Sequence, residues 1–100
     1  MSEDDLRVAV LRILANKDGG KAVVREANKA LDDGSPEARR TFLKAGYRLA
    51  QAEDDRAAIA RILANPAISD ALRRAAENAI DGTPEELRYF VEVGQYEVNG

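Results

Sequence analysis

Arg12-Ile13-Leu14-Ala15-Asn16 recurs letter for letter as Arg61-Ile62-Leu63-Ala64-Asn65, 49 residues further along a chain of 100. Self-similarity at a fixed spacing is the mark of a repeat architecture, so this pentapeptide decides how its surroundings are read. The match extends in both directions. At the same offset Asp5 pairs with Asp54, Arg7 with Arg56, Ala9 with Ala58, Arg25 with Arg74, Ala27 with Ala76, Ala30 with Ala79, Leu31 with Ile80 and Asp32 with Asp81. One extra residue near Asp33 shifts the register to 48, after which Gly34, Pro36, Glu37, Arg40, Phe42 and Gly46 pair with Gly82, Pro84, Glu85, Arg88, Phe90 and Gly94. Agreement on turn residues and apolar positions together implies two copies of one folding unit.

Each copy predicts three helices. Leu6, Val10, Ile13 and Leu14 fall at the spacing that lines one face of a 3.6-residue helix, and Ala58, Ile59, Ile62 and Leu63 repeat the pattern. The second helix is expected to bury Val23, Val24, Ala27, Ala30 and Leu31, matched by Ile68, Leu72, Ala75, Ala76, Ala79 and Ile80. Gly34 and Gly82 follow it and suit a left-handed C-cap. Ser35-Pro36 and Thr83-Pro84 then supply an N-cap with proline at the first helical position. Thr83 with Glu86 completes a capping box, which the first copy lacks because Ala38 stands at that place. Phe42 and Leu43, then Phe90 and Val91, anchor the third helix. Gly46 and Gly94 end or bend it, which makes Tyr47 to Glu53 the connector between copies, with room for a helical turn of its own. Recurrent alanines at facing positions permit close helix approach. The fold class expected is all-α, tandem three-helix repeats stacked as a short α-solenoid-like bundle. Residues 1–100 then form a single helical domain of two repeats, 5–52 and 54–98.

Composition supports a folded, soluble chain: 45% of residues are hydrophobic and 33% charged, away from the low-hydrophobicity regime of disorder. No apolar run approaches the roughly 18 residues of a membrane span, and Met1 to Leu6 is acidic rather than basic. Neither a transmembrane helix nor a signal peptide is therefore expected within these residues. A net charge of −3 argues against nucleic acid, which calls for a clustered basic face. The halves differ: residues 1–50 carry ten Lys and Arg against eight Asp and Glu, net +2, whereas residues 51–100 carry five against ten, net −5. Opposite halves predict weak, salt-sensitive, head-to-tail self-association.

These residues resemble the ALF repeats, short alanine-rich helical repeats known mainly from actinobacterial secreted proteins. The resemblance is carried by Arg12-Ile13-Leu14-Ala15, Arg25, Ala27, Ala30-Leu31, Gly34, Phe42-Leu43 and Gly46. The second copy adds Arg61-Ile62-Leu63-Ala64, Arg74, Ala76, Ala79-Ile80, Gly82, Phe90 and Gly94. What the resemblance implies is a repeat of unknown molecular function, a segment of exported multi-domain proteins, some of toxin type. The absence of a visible export signal departs from that pattern and leaves localisation undetermined.

No catalytic, cofactor-binding or metal-binding residue is assigned. Histidine and cysteine are both absent, which removes the usual general base, the activated thiol, the preferred zinc ligands and any disulfide together. Of the hydroxyls Ser2, Ser35, Ser69, Thr41 and Thr83, three stand where N-caps are expected. The acidic triplets Glu3-Asp4-Asp5 and Glu53-Asp54-Asp55 precede the first helix of each copy, where the helix dipole favours negative charge without any ligand. Asp18-Gly19 lacks the ordered acids and closing glutamate of a calcium loop and reads as a helix-joining turn. Gly19-Gly20-Lys21 lacks the glycine and hydroxyl of a phosphate loop and reads as a linker. Arg7, Arg12 and Arg25 with Arg56, Arg61 and Arg74 form a ladder able to meet acidic partners, but local pairing with Asp5, Asp32, Asp54 or Asp81 is the favoured role. Tyr47, Tyr89 and Tyr96 are expected to pack half-buried at helix ends. The function expected is a non-enzymatic module without cofactor that binds a protein partner or neighbouring repeats, and neither nucleic acid nor membrane. The alternative is a structural spacer or presentation segment of a larger exported polypeptide.

Overall fold

Serine and threonine open four of the helices. Ser2 Oγ accepts from Asp5 N and Asp5 accepts in return from Ser2 N, a capping box at the start of α1 (Glu3–Ala15). Ser35 caps α3 (Pro36–Thr41) through Ala38 N, Ser69 caps α5 (Asp70–Ile80) through Leu72 N, and Thr83 with Glu86 boxes the start of α6 (Pro84–Tyr89). The structure, a computed structural model, describes residues 2–16 and 20–99; the turn expected at Asp18-Gly19 lies outside them, and of the linker expected at Gly19-Gly20-Lys21, Gly20 is the N-cap of the second helix and Lys21 its first residue. Between the first and third helices runs α2 (Lys21–Asp33), and no strand occurs among the described residues.

The third helix of each repeat is not ended by its glycine. α3 passes without a break into a π-helical segment, Phe42–Gly46, and on into α4 (Tyr47–Ala64). α6 does the same through Phe90–Gly94 into α7 (Gln95–Asn99). The π register is seen in the backbone: Tyr47 N donates to Phe42 O, and Gln95 N to Phe90 O, five residues back instead of four. In the second repeat this leaves Val91 O without its α-helical donor, and the Gln95 side chain supplies one from Nε2 at 2.5 Å. Residues 47–53, expected as a connector, are therefore the first turns of an 18-residue helix. Glu53-Asp54-Asp55 consequently sits inside that helix, and the helix dipole cannot account for it as it can for Glu3-Asp4-Asp5.

Contacts group into two compact units, Met1–Gln51 and Ala52–Gly100, and each has its own core. In the first, Leu6 and Val10 of α1, Ala22, Val23, Ala27 and Ala30 of α2, Phe42, and Ala50 of α4 are buried. In the second, Ala52 and Ile59 of α4 pack with Leu72 and Ala76 of α5, Leu87 and Phe90. The helical periodicity placed these faces correctly, except that Val24 is 38% exposed and the buried Ala22, Ala50, Ala52 and Leu87 escaped it. The two glycines after the second helices also differ. Gly34 adopts φ +79°, a left-handed C-cap as expected, whereas Gly82 does not have positive φ; there a Cβ would meet Glu86 Cβ at 3.0 Å and Ala79 O at 3.1 Å. Gly34 is required by conformation and Gly82 by lack of room.

Candidate functional site

Four of the five hydroxyls are spent on helix caps, which accounts for Ser2, Ser35, Ser69 and Thr83. Thr41, the fifth, ends α3 and lines a groove described below. Among the described residues no three His, Cys, Asp or Glu side chains gather as a metal site would require, and no helix is long and apolar enough to cross a membrane.

The strongest polar interactions use arginines outside the expected ladder. In the first repeat the Arg39 side chain is 1% exposed; its Nη2 donates to Glu3 Oε1 at 2.7 Å, while its Nε has no partner. In the second, Arg88 grips Asp55 with both prongs, Nε donating to Oδ2 at 3.0 Å and Nη2 to Oδ1. Burial pushes the Asp55 carboxyl above the ordinary carboxylate range, against the opposing pull of Arg88. The two pairs are displaced versions of each other. At the internal offsets Glu3 corresponds to Ala52 and Arg39 to Leu87, while Leu6 corresponds to Asp55 and Arg40 to Arg88. In each repeat an ion pair thus ties the first helix to the third; the second repeat fills the place of Glu3 and Arg39 with the apolar Ala52 and Leu87, and in the first Leu6 stands where Asp55 does, leaving Arg40 exposed. Of the ladder itself, Arg56 Nε donates to Ile80 O at the end of α5, and Arg7, Arg12, Arg25, Arg61 and Arg74 are exposed.

The feature that recurs with the repeat is a groove beside each π segment. In the first repeat α2 forms one wall with Glu26, Lys29, Ala30 and Asp33, and α3 the other with Ala38 and Thr41. Phe42 and Gly46 complete a hollow of about 240 Å³. In the second repeat Ala75 and Ala79 of α5 face Glu85, Glu86 and Tyr89 of α6, Phe90 and Gly94 of the π segment, and Glu97 and Val98 of α7, around about 470 Å³. Ala30 and Ala79, Phe42 and Phe90, and Gly46 and Gly94 occupy equivalent places, so the floor is common to both. The glycines make it possible: a Cβ on Gly46 would meet the Phe42 ring at 3.3 Å, and one on Gly94 the Phe90 ring at 3.2 Å.

The rims are unlike. In the first groove Glu26 is held by Arg25 at 2.9 Å and Lys29 at 3.4 Å, which keeps its carboxyl below the usual range and balances the local charge. Thr41 and Ala38 are replaced in the second groove by Tyr89 and Glu86, and that rim carries three glutamates. Tyr89 Oη donates to Glu97 Oε1 at 2.5 Å, and the carboxylate raises the phenol above its ordinary value. Tyr89 and Tyr96 are 54% and 66% exposed, contrary to the half-buried packing expected; of the tyrosines only Tyr47 packs that way, stacked on Phe42 with ring centroids 6.0 Å apart. The grooves went unread in the sequence, although the phenylalanine followed by glycine four residues later in both copies marks their floor.

A family model described as short repeats of unknown function matches the chain twice, over residues 7–50 and over 56–97. No curated protein and no solved structure matches it. Each family match contains one complete second helix and one π segment, the two walls of a groove, and together they cover most of the chain, which belongs to the ALF family of short repeats.

Proposed function

We propose that this chain is a non-enzymatic helical-repeat module that binds another protein, or a neighbouring repeat, through the groove beside each π segment. The observation that carries the reading is the recurrence of one groove on two different rims. Ala30, Phe42 and Gly46 are kept as Ala79, Phe90 and Gly94, while Thr41 becomes Tyr89 and Ala38 becomes Glu86. A constant apolar floor supplies burial, and a variable charged rim supplies discrimination between partners. Beside the second groove, Tyr89, Val93, Tyr96 and Val98 expose apolar and aromatic surface, with both exposed aromatic side chains among them, and aromatic residues are the type that anchors protein interfaces. The acidic rim disfavours phosphate backbones, so a protein surface suits it better than a nucleic acid.

The test uses the whole chain as bait for extracts of its source organism across a range of salt. Stoichiometric capture of one protein by the native chain, lost in a variant carrying Tyr89→Asp and Val98→Asp, is the expected result. Both positions are solvent-facing, so circular dichroism should be unchanged. Equal capture by native and variant chains, or capture by neither at any salt, would overturn the reading.

A further inference from the structure

The two repeats share a groove and a first-helix face, and they differ at each of these in a complementary way. On the first helix of the first repeat, Arg7, Val8, Leu11 and Arg12 lie at spacings that bring them onto one patch, and all four are exposed, with Val8 at 45% and Leu11 at 47%. The corresponding residues of the second repeat are Arg56, Ala57, Ala60 and Arg61, so the arginines are kept and the aliphatic bulk is gone. The grooves differ in the opposite sense. The first, at about 240 Å³, has Asp33 and the paired Lys29 and Glu26 on its rim, whereas the second, at about 470 Å³, is twice as large and carries Glu85, Glu86 and Glu97 without a lysine or arginine. A basic, aliphatic knob therefore exists on one repeat only, and an acidic, apolar socket on the other only. The unit charges are opposite in the same sense, +2 on the unit with the knob and −5 on the unit with the socket.

We infer that the groove of the second repeat receives the α1 face of a second copy of this chain, Val8 and Leu11 entering the hollow and Arg7 and Arg12 meeting the glutamates of its rim. The inference rests on the groove being a protein-binding site and names its occupant. Because knob and socket are different surfaces, each copy offers one of each, and association proceeds to a closed ring, of two copies upward, or to an open chain according to how the contact turns one copy relative to the next. Exposed charges at the rim make it sensitive to salt, since screening shortens their reach to about 10 Å at 0.1 M.

Sedimentation velocity on the full chain tests this. At low ionic strength the average mass should rise steadily above 10.9 kDa with concentration, and it should return to 10.9 kDa in high salt. Leu11→Asp on the knob and Val98→Asp on the socket should each abolish the rise, both being surface changes that leave the helical spectrum intact. Mixed in equal amounts, the two variants should form a two-chain species and nothing larger, because one retains a working socket and the other a working knob. A native chain that stays at 10.9 kDa at every concentration in low salt, or a mixture that does not pair, would overturn the inference. Capture of a different protein that is blocked by Tyr89→Asp with Val98→Asp, from a chain that shows no self-association, would leave the binding reading standing and sink only this assignment of the occupant.

Discussion

Arg39 and Leu87 stand at the same place in the two repeats, both fully buried, one charged and one not. Arg39 has a single carboxylate partner, Glu3, whose own side chain is 56% exposed, and its Nε is left without an acceptor. Withdrawing a guanidinium from water under those terms costs more than one ion pair returns, and an apolar side chain of similar volume is often the more stable occupant. Arg39→Leu should therefore raise the unfolding free energy by about 1 kcal/mol or leave it unchanged in denaturant titration, and a loss of more than about 1 kcal/mol would refute the account. Asp55 offers the converse. Its folded carboxyl binds its proton more tightly than the ordinary value of 3.8, so its charge disfavours the native state as pH rises through that range and is harmless below it. Asp55→Leu, which copies Leu6 of the first repeat, should accordingly be at least as stable as the native chain at pH 7, with Arg88 still in reach of Glu92 at 3.2 Å. Its advantage should shrink as the pH approaches 3.8, which is checked by repeating the titration in acid. None of this was legible in the sequence: Arg39 lies beside Arg40 in a run that looks like solvated surface, and only packing says which of the two is inside.

At the scale of elements, helix starts were easier to read than helix ends. Ser35-Pro36 and Thr83-Pro84 mark theirs by local chemistry, an oxygen for an orphan N–H and a ring that fixes φ, and local chemistry is visible in a sequence. Gly46 and Gly94 were expected to end or bend the third helices because glycine costs about 1 kcal/mol in a helix interior. They sit instead within π segments, where the absent Cβ makes room for the rings of Phe42 and Phe90. The local signal, a glycine four residues after each phenylalanine, does not by itself tell a widened turn from a helix end, and so the 18-residue α4 and both grooves stayed hidden. This makes the glycines testable. In an ordinary helix Gly→Ala would stabilise by about 1 kcal/mol. Gly46→Ala and Gly94→Ala should instead lower the melting temperature, because the Phe42 ring, stacked on Tyr47, and the buried Phe90 ring must give by a few tenths of an ångström in packed surroundings. An increase in melting temperature for either variant would show that the glycine is not what makes room for the ring.

At the scale of the whole molecule, the duplication read from Arg12 to Asn16 and Arg61 to Asn65 has a counterpart in energetics: each buried apolar cluster stays within one unit, with Ile59, Leu72, Ala76, Leu87 and Phe90 on one side and Val10, Ala27, Ala30 and Phe42 on the other. Val10 and Ile59 are equivalent and both completely buried, so Ile59→Val gives the second repeat the residue of the first and deletes one methylene from one core. Such a deletion costs about 0.5 to 1.5 kcal/mol where the core cannot close over the gap. In a repeat protein stability is a sum of unit and neighbour terms, and the loss should appear where the deleted atoms were. Native-state amide exchange is therefore expected to quicken about fivefold in α5 and the Phe90–Gly94 segment, the change that about 1 kcal/mol implies, and much less in α1 and α2. The site of the change matters as much as its size. α4 runs through the boundary between Gln51 and Ala52, so a helix shared by both units could transmit the loss from one to the other. Equal acceleration in all four elements would mean that the units unfold as one, and that the thin core of each repeat is held up by the continuity of that helix instead of by its own side chains.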